Sequence, residues 1–257
     1  MKKWHEIFNR KNFSYNTESK LIKDKINYKK FSYSLLKVIH PELDQKKFNN
    51  IVKYITKNLI LKKNKSILDF GSGNGAFLFY FTKKYRLKKN LSFEISQPLL
   101  NLQKKFIDKT KFFKTHHNNT KLYKKYNNKI VDYTMCISVF QYFYNKQYFL
   151  DTLDFLIRVS KKKILIYDLK DLNKKKLYKE IVRKRQKLSK IEFRNKYKDT
   201  PIRFYSKKFV KKTLNQLQNK HNFSFKFLKL PIGATDNRFG YSLLITKNDY
   251  IKSKNLK

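Results

Sequence analysis

Apolar positions along this chain follow two rhythms. After residue 44, Phe48, Ile51, Val52, Ile55 and Leu59 recur at the spacing of one helix face, and Asp44 ahead of them can cap that helix. From Ser66 the pattern turns to short apolar runs alternating with helical stretches, as in a parallel α/β sheet. Strands are predicted over residues 66–70, 91–95, 111–115, 130–137 and 163–167, and helices over 76–85, 98–107 and 147–159. Upstream, an imperfect stripe of Leu21, Ile22, Ile26, Phe31 and Leu35 predicts a helix over 18–40, behind a polar lead-in over 1–17.

The last third closes differently. A charged helical stretch over 172–198, ending near Pro201, has only a sparse apolar side of Leu177, Ile181, Leu188 and Ile191, which predicts an exposed lid. A helix over 206–220 follows, then strands over 223–230 and 239–246 joined across Pro231, Gly233, Asp236 and Asn237. So short a connection requires antiparallel partners. The expected architecture is a Rossmann-like α/β domain over residues 45–247, with helices on both faces of a mostly parallel seven-stranded sheet that ends in an antiparallel hairpin. An N-terminal helical extension over 1–44, a lid over 171–200 and a polar tail over 248–257 complete the reading.

Charge changes this picture less than its size suggests. The chain carries a formal net charge of +44 over 257 residues, which invites a nucleic-acid partner. Only eight of its 62 basic residues are arginine, however, and the lysines travel with abundant Asn, Ile, Phe and Tyr and scarce Gly, Pro and Ala. A mutational bias toward A and T accounts for that whole pattern, and the lysines run from Lys2 to Lys257 without one dominant block. Nucleic acid is therefore possible but not the favoured partner. The single cysteine, Cys136, forms no internal disulfide and has no partner at metal-ligand spacing, so no metal is expected. No run approaches the roughly 20 apolar residues of a membrane span, and residues 4–11 lack a signal-peptide core, so a cytoplasmic location is expected.

Three of the five glycines, Gly71, Gly73 and Gly75, lie together directly after the first predicted strand. A strand that turns into a helix through such a loop brings backbone close to a ligand. The stretch Gly71-Ser72-Gly73-Asn74-Gly75-Ala76 also fits the dinucleotide fingerprint, which taken alone is weak. Asp69 discriminates, because an acid at the end of that strand would face a pyrophosphate with repulsion. A cationic nucleoside without phosphate would be attracted instead.

Residues 66–75, an acid followed by alternating glycines, resemble the first motif of class I S-adenosylmethionine-dependent methyltransferases. The resemblance runs in order across residues 45–247. It implies S-adenosyl-L-methionine as cofactor, held by Asp69, Gly71, Ser72, Gly73, Asn74 and Gly75, with Glu94 on the two ribose hydroxyls. Residues 131–142 resemble the fourth-strand motif, after which backbone near Ser138 and Val139 would line the methionine side. The third motif matches poorly, and Asn118 is the candidate for the adenine contact.

The acceptor is read less directly. His116, His117 and Asp168 follow predicted strands and are candidate bases, although the histidines also read as exposed loop residues and Asp168 equally as a helix cap. Gln141, Tyr142, Tyr205 and Arg238 are candidate acceptor contacts, with a core role open for Tyr142 and a salt bridge or packing role open for Arg238. The chain lacks the Asn/Asp-Pro-Pro-aromatic motif of exocyclic amino methyltransferases, which favours an oxygen of a small metabolite or sugar. An RNA methyltransferase using the basic surface, and a non-catalytic binding protein on the same fold, are the alternatives.

Overall fold

The computed structural model describes residues 27–40, 43–107, 110–114, 130–233 and 237–248. Two helices lead in, α1 (Tyr28–Ile39) and α2 (Gln45–Leu59). The alternating core follows as β1 (Ser66–Phe70), α3 (Ala76–Tyr85), β2 (Lys89–Glu94), α4 (Gln97–Phe106), β3 (Thr110–Lys114), β4 (Val131–Ile137), α5 (Lys146–Val159) and β5 (Ser160–Lys170). Then come α6 (Lys175–Arg185), α7 (Lys190–Tyr197), α8 (Lys207–Gln218), β6 (Phe223–Lys229) and β7 (Gly240–Lys247).

The seven strands form one sheet in the order β3-β2-β1-β4-β5-β7-β6. Strands β1 to β5 pair in parallel, and β7 runs antiparallel to both β5 and β6. The expected mixed sheet with its antiparallel closing hairpin is what forms. The order reverses between β1 and β4, and that switch point opens a crevice at the carboxyl ends of the strands.

Alternation along the strands sorts the core into two layers. Ile67, Tyr133, Met135, Leu165 and Tyr167 face one side with α1, α2 and α3, while Leu68, Cys136, Ile164 and Ile166 face the other with α5 and α8. Cys136 is buried there as a small apolar residue, as its lack of a partner predicted. Helix α2 begins where expected, with the Asp44 carboxylate accepting from the Lys47 amide at 2.8 Å, and it buries Phe48, Ile51, Val52, Ile55 and Leu59. Helix α1 is fixed by Phe31, whose ring lies 4.6 Å from that of Phe79 on α3 and 5.1 Å from that of Phe106 on α4.

The predicted lid differs in one respect. Instead of one helix over 172–198 there is a 3-10 turn at Leu172–Lys174 followed by α6 and α7. Lys187 takes a left-handed conformation (φ +54°), and the Arg183 guanidinium donates to the Leu188 carbonyl at 2.8 Å. Ser189 and Glu192 then form a capping box that starts a new helix. No residue of α6 or α7 is buried. Among the described residues no helix is long and apolar enough to cross a membrane.

Phe31 is fully buried, so Phe31→Ala should cost about 3–5 kcal/mol, read as a lower midpoint in urea denaturation.

Candidate functional site

The loop after β1 is shaped by its glycines. Gly71, Gly73 and Gly75 have φ values of +70°, +59° and +80°. A Cβ on Gly71 would come within 2.3 Å of Val139 Cγ2, so that position is closed to any larger residue by space as well as by backbone angle. The Gly71 and Ser72 amides donate to the Phe93 carbonyl at 2.7 and 3.1 Å, which ties the loop to β2.

Beneath the loop lies a buried polar network. The Ser72 hydroxyl is 2.7 Å from that of Ser92, which donates to Gln103 Oε1 at 2.7 Å. Gln103 Nε2 donates onward to Ser72 Oγ at 2.9 Å and to the Gly73 carbonyl at 2.6 Å. Asn74 donates to the Leu35 carbonyl of α1 and accepts from the Ala76 amide. The side chains of Ser72 and Asn74 are thus turned inward to hold the loop, and a ligand would meet backbone at these two positions. Gln103 and Ser92 were missed; the legible sign was a glutamine among Leu99, Leu100, Leu102 and Phe106 on the apolar face of α4.

Two carboxyl groups end β1 and β2. Asp69 is 2% exposed, and its Oδ1 is buried without a hydrogen-bond partner. Burial drives its pKa well above the usual carboxyl range, and the neighbouring Glu94 charge adds to the shift. Glu94 accepts from the Gly73 amide at 2.7 Å through Oε2, and from the Ile95 and Ser96 amides at 2.8 and 2.9 Å through Oε1. Those bonds favour its charged form, but burial outweighs them and raises its pKa to about 7. No lysine or arginine among the described residues offsets either group.

On the other side of the crevice, Val139 closes against Gly71 and Ser138 turns left-handed (φ +56°). The Ser138 hydroxyl donates to Asp168 Oδ2 at 3.1 Å, and Lys170 Nζ lies 2.9 Å from both oxygens of Asp168. The helix-cap reading of Asp168 does not hold, because Asp171 caps the following turn by accepting from the Asn173 amide. Gln141 is buried with its Oε1 unpartnered, and Tyr142 beside it is half-buried. Tyr205 is packed in the core, and its hydroxyl donates to the Phe140 carbonyl at 2.8 Å. Arg238 stacks over the Phe239 ring at 5.1 Å. Asp132, in the resemblance to the fourth-strand motif, sits at the amino end of β4, where it accepts from the Ser66 amide and hydroxyl and pairs with Lys162 at 2.8 Å. That places it at the opposite end of the sheet from the crevice. His116, His117 and Asn118 lie outside the described residues.

No protein-family model matches the chain, and no curated protein matches it. Solved structures do. A Haloferax volcanii complex of the Trm112 methyltransferase activator with a methyltransferase aligns at TM-score 0.57 and 10% identity, over 86% of this chain and 97% of that one. Magnesium protoporphyrin IX methyltransferase from Synechocystis PCC 6803, with bound SAH, aligns at 0.54 and 11%, over 96% of this chain and 93% of that one. The small RNA methyltransferase HEN1 aligns at 0.54 and 15%, over 78% of this chain and 25% of that one. At such identities the likeness is one of fold: the chain adopts the class I methyltransferase fold.

Two outcomes are expected from this geometry. Gly71→Ala should destabilise the protein by about 1–3 kcal/mol, seen as a lower melting temperature. The second concerns pH. Glu94 binds its proton more tightly in the folded state (pKa about 7) than in an unfolded chain (4.5), so its contribution favours folding below pH 4.5 and is lost as pH rises to 7. The loss is on the order of 3 kcal/mol. Melting scans of the ligand-free protein from pH 5 to 8 should show wild type losing stability relative to Glu94→Gln.

Proposed function

We propose that this chain binds S-adenosylmethionine in the crevice between β1 and β4 and transfers its methyl group to an oxygen of a small-molecule acceptor. The observation that carries the reading is the buried Asp69 carboxyl, whose Oδ1 has no partner among the described residues, beside a second buried carboxyl that no described side-chain cation offsets. A ligand that supplies positive charge and carries no phosphate completes such a site, whereas a pyrophosphate would be repelled. Adenosylmethionine fits through its sulfonium and ammonium groups.

The residues present suit that cofactor. Asp69 faces the cationic side, the glycine backbone of residues 71–75 permits close approach, and Glu94 takes ribose hydroxyls. A carboxylate offers about four lone-pair sites, and three amides use three of them on Glu94. The remaining capacity is on Oε2, where Glu94 would hold the ribose hydroxyls. Ser138 and Val139 line the methionine side, and Asn118 is proposed for the adenine. When bound, the cofactor supplies an electrophilic methyl group. The chain's own part is to align an acceptor with it and exclude water. Gln141, Tyr142 and Arg238 are proposed on the acceptor side, and the lid, for which we propose residues 171–200, covers it. We place the activity in the cytoplasm.

An RNA acceptor is the second reading, favoured by the net charge of +44 and by a lid whose helices bury nothing. It requires affinity for single-stranded RNA that falls steeply with salt.

Calorimetric titration tests the cofactor. Wild type should bind adenosylmethionine and ignore NAD. Asp69→Asn should weaken adenosylmethionine at least tenfold, about 1.4 kcal/mol, while raising the melting temperature of the ligand-free protein at pH 8. Binding of NAD in preference to adenosylmethionine would sink the reading.

A further inference from the structure

Three neighbouring strand ends carry left-handed residues: Gly71 after β1, Ser138 after β4 and Asp168 within the last turn of β5, at φ +70°, +56° and +64°. A side chain in that conformation costs roughly 1–2 kcal/mol. Glycine avoids the cost, aspartate incurs part of it, and serine incurs it in full. At Asp168 the β5 register slips between Ile166 and Leu169, while those two residues keep their pairing with β7.

The pair so formed is out of water. Asp168 is 4% exposed and Lys170 6%, and Nζ reaches both carboxylate oxygens at 2.9 Å. The lid residue Tyr178 roofs it, with Nζ 5.7 Å from its ring centre, and Tyr178 is wedged edge-on against Phe204 and Phe239. Strand β7 makes room below: a Cβ on Gly240 would stand 2.7 Å from Asp168 Oδ1. In a chain with five glycines, one of the two outside the cofactor loop thus clears space for this carboxylate. A buried ion pair is a poor stabiliser compared with apolar residues of the same volume. A left-handed backbone, burial and the close approach of Gly240 converge on this ion pair.

We infer that Asp168 is the acceptor-side catalytic residue, that Lys170 positions it, and that the group methylated is a neutral hydroxyl rather than a carboxylate or phosphate. The inference rests on the proposed methyl transfer. Asp168 is bonded by Ser138, whose chain neighbour Val139 packs on Gly71, so the end of β5 is tied to the glycine loop through the end of β4. It accepts two bonds from Lys170 and one from Ser138, leaving about one lone-pair site for an acceptor O–H. As the hydroxyl oxygen forms its bond to the methyl carbon, the carbon–sulfur bond breaks with its electron pair kept by sulfur, and the hydroxyl proton passes to Asp168. An anionic acceptor group would face the Asp168 carboxylate, whose Lys170 partner is already engaged. The positive exterior gathers anions, but the reacting end refuses them.

The test uses the full chain, tritiated adenosylmethionine and a small-molecule cell extract as acceptor pool, with calorimetry in parallel. Wild type should place label in a product stable to strong base, as an ether is. Asp168→Asn should lower the transfer rate about 10²- to 10⁴-fold with adenosylmethionine affinity within twofold of wild type. Lys170→Met should lower kcat more than it raises KM. The double variant Asp168→Asn/Lys170→Met should melt no lower than wild type and stay inactive, which separates a catalytic pair from a structural one. Full activity in Asp168→Asn, label released by base as methanol, or a double variant that unfolds would overturn the inference alone. A wild type that binds no adenosylmethionine would instead bring down the proposed function, and this with it.

Discussion

The structure depends on an electrostatic debt at the carboxyl ends of β1 and β2. Asp69 and Glu94 are buried side by side in a protein with 62 basic residues, and none of the described ones neutralises them. Burying a carboxyl without a counter-charge is unfavourable, and folded proteins avoid it outside functional sites. Here the parallel pairing of β1 with β2 enforces it, since Asp69 aligns with Ser92 and both acids end their strands on the same side of the sheet. Glu94 is partly compensated by three backbone amides; Asp69 is not. Burial raises the pKa of both groups, to about 7 at Glu94, and a positive charge beside them would lower it again.

That arrangement is useful only if the loop between the acids and the ligand keeps its shape. The Ser72, Ser92 and Gln103 network does this from below, and Asn74 does it sideways by holding α1. A buried polar network that is fully bonded is rigid and specific, whereas one with a missing member is worse than an apolar contact. The N-terminal helix is therefore part of the site's support, since Phe31 anchors the helix whose Leu35 carbonyl fixes Asn74.

Much of this was legible in the sequence, and the exceptions share a cause. The bounds of β1 and α3 follow directly from the residues because the triple-glycine turn leaves little choice about where the strand stops and the helix starts. The closing hairpin was legible because a short connection admits one orientation. Strand β5 runs from Ser160 to Lys170, longer than its apolar stretch, because β7 resumes pairing beyond a bulge that no local pattern marks. The lid break at Lys187 rests on one left-handed lysine in a run of lysines. Lys170 was hidden in the same way. Where lysine is so abundant at the surface, a buried lysine looks like all the others.

What does distinguish it is the response of its neighbours. A surface lysine asks nothing of the residues around it, but Lys170 is matched by an aspartate in a strained conformation and by an aromatic roof, and that aspartate by a glycine on the adjoining strand. Compensation of that kind, distributed over β4, β5, β7 and α6, cannot come from base composition. The same criterion separates Asp132 from Asp69. Asp132 is satisfied by Ser66 and Lys162 within its own neighbourhood and needs no ligand, while Asp69 has an oxygen that nothing in the described fold satisfies. In a chain this biased, the informative charges are those left unmatched or those whose matching required unusual backbone, and both kinds stand at the ends of β1 and β5.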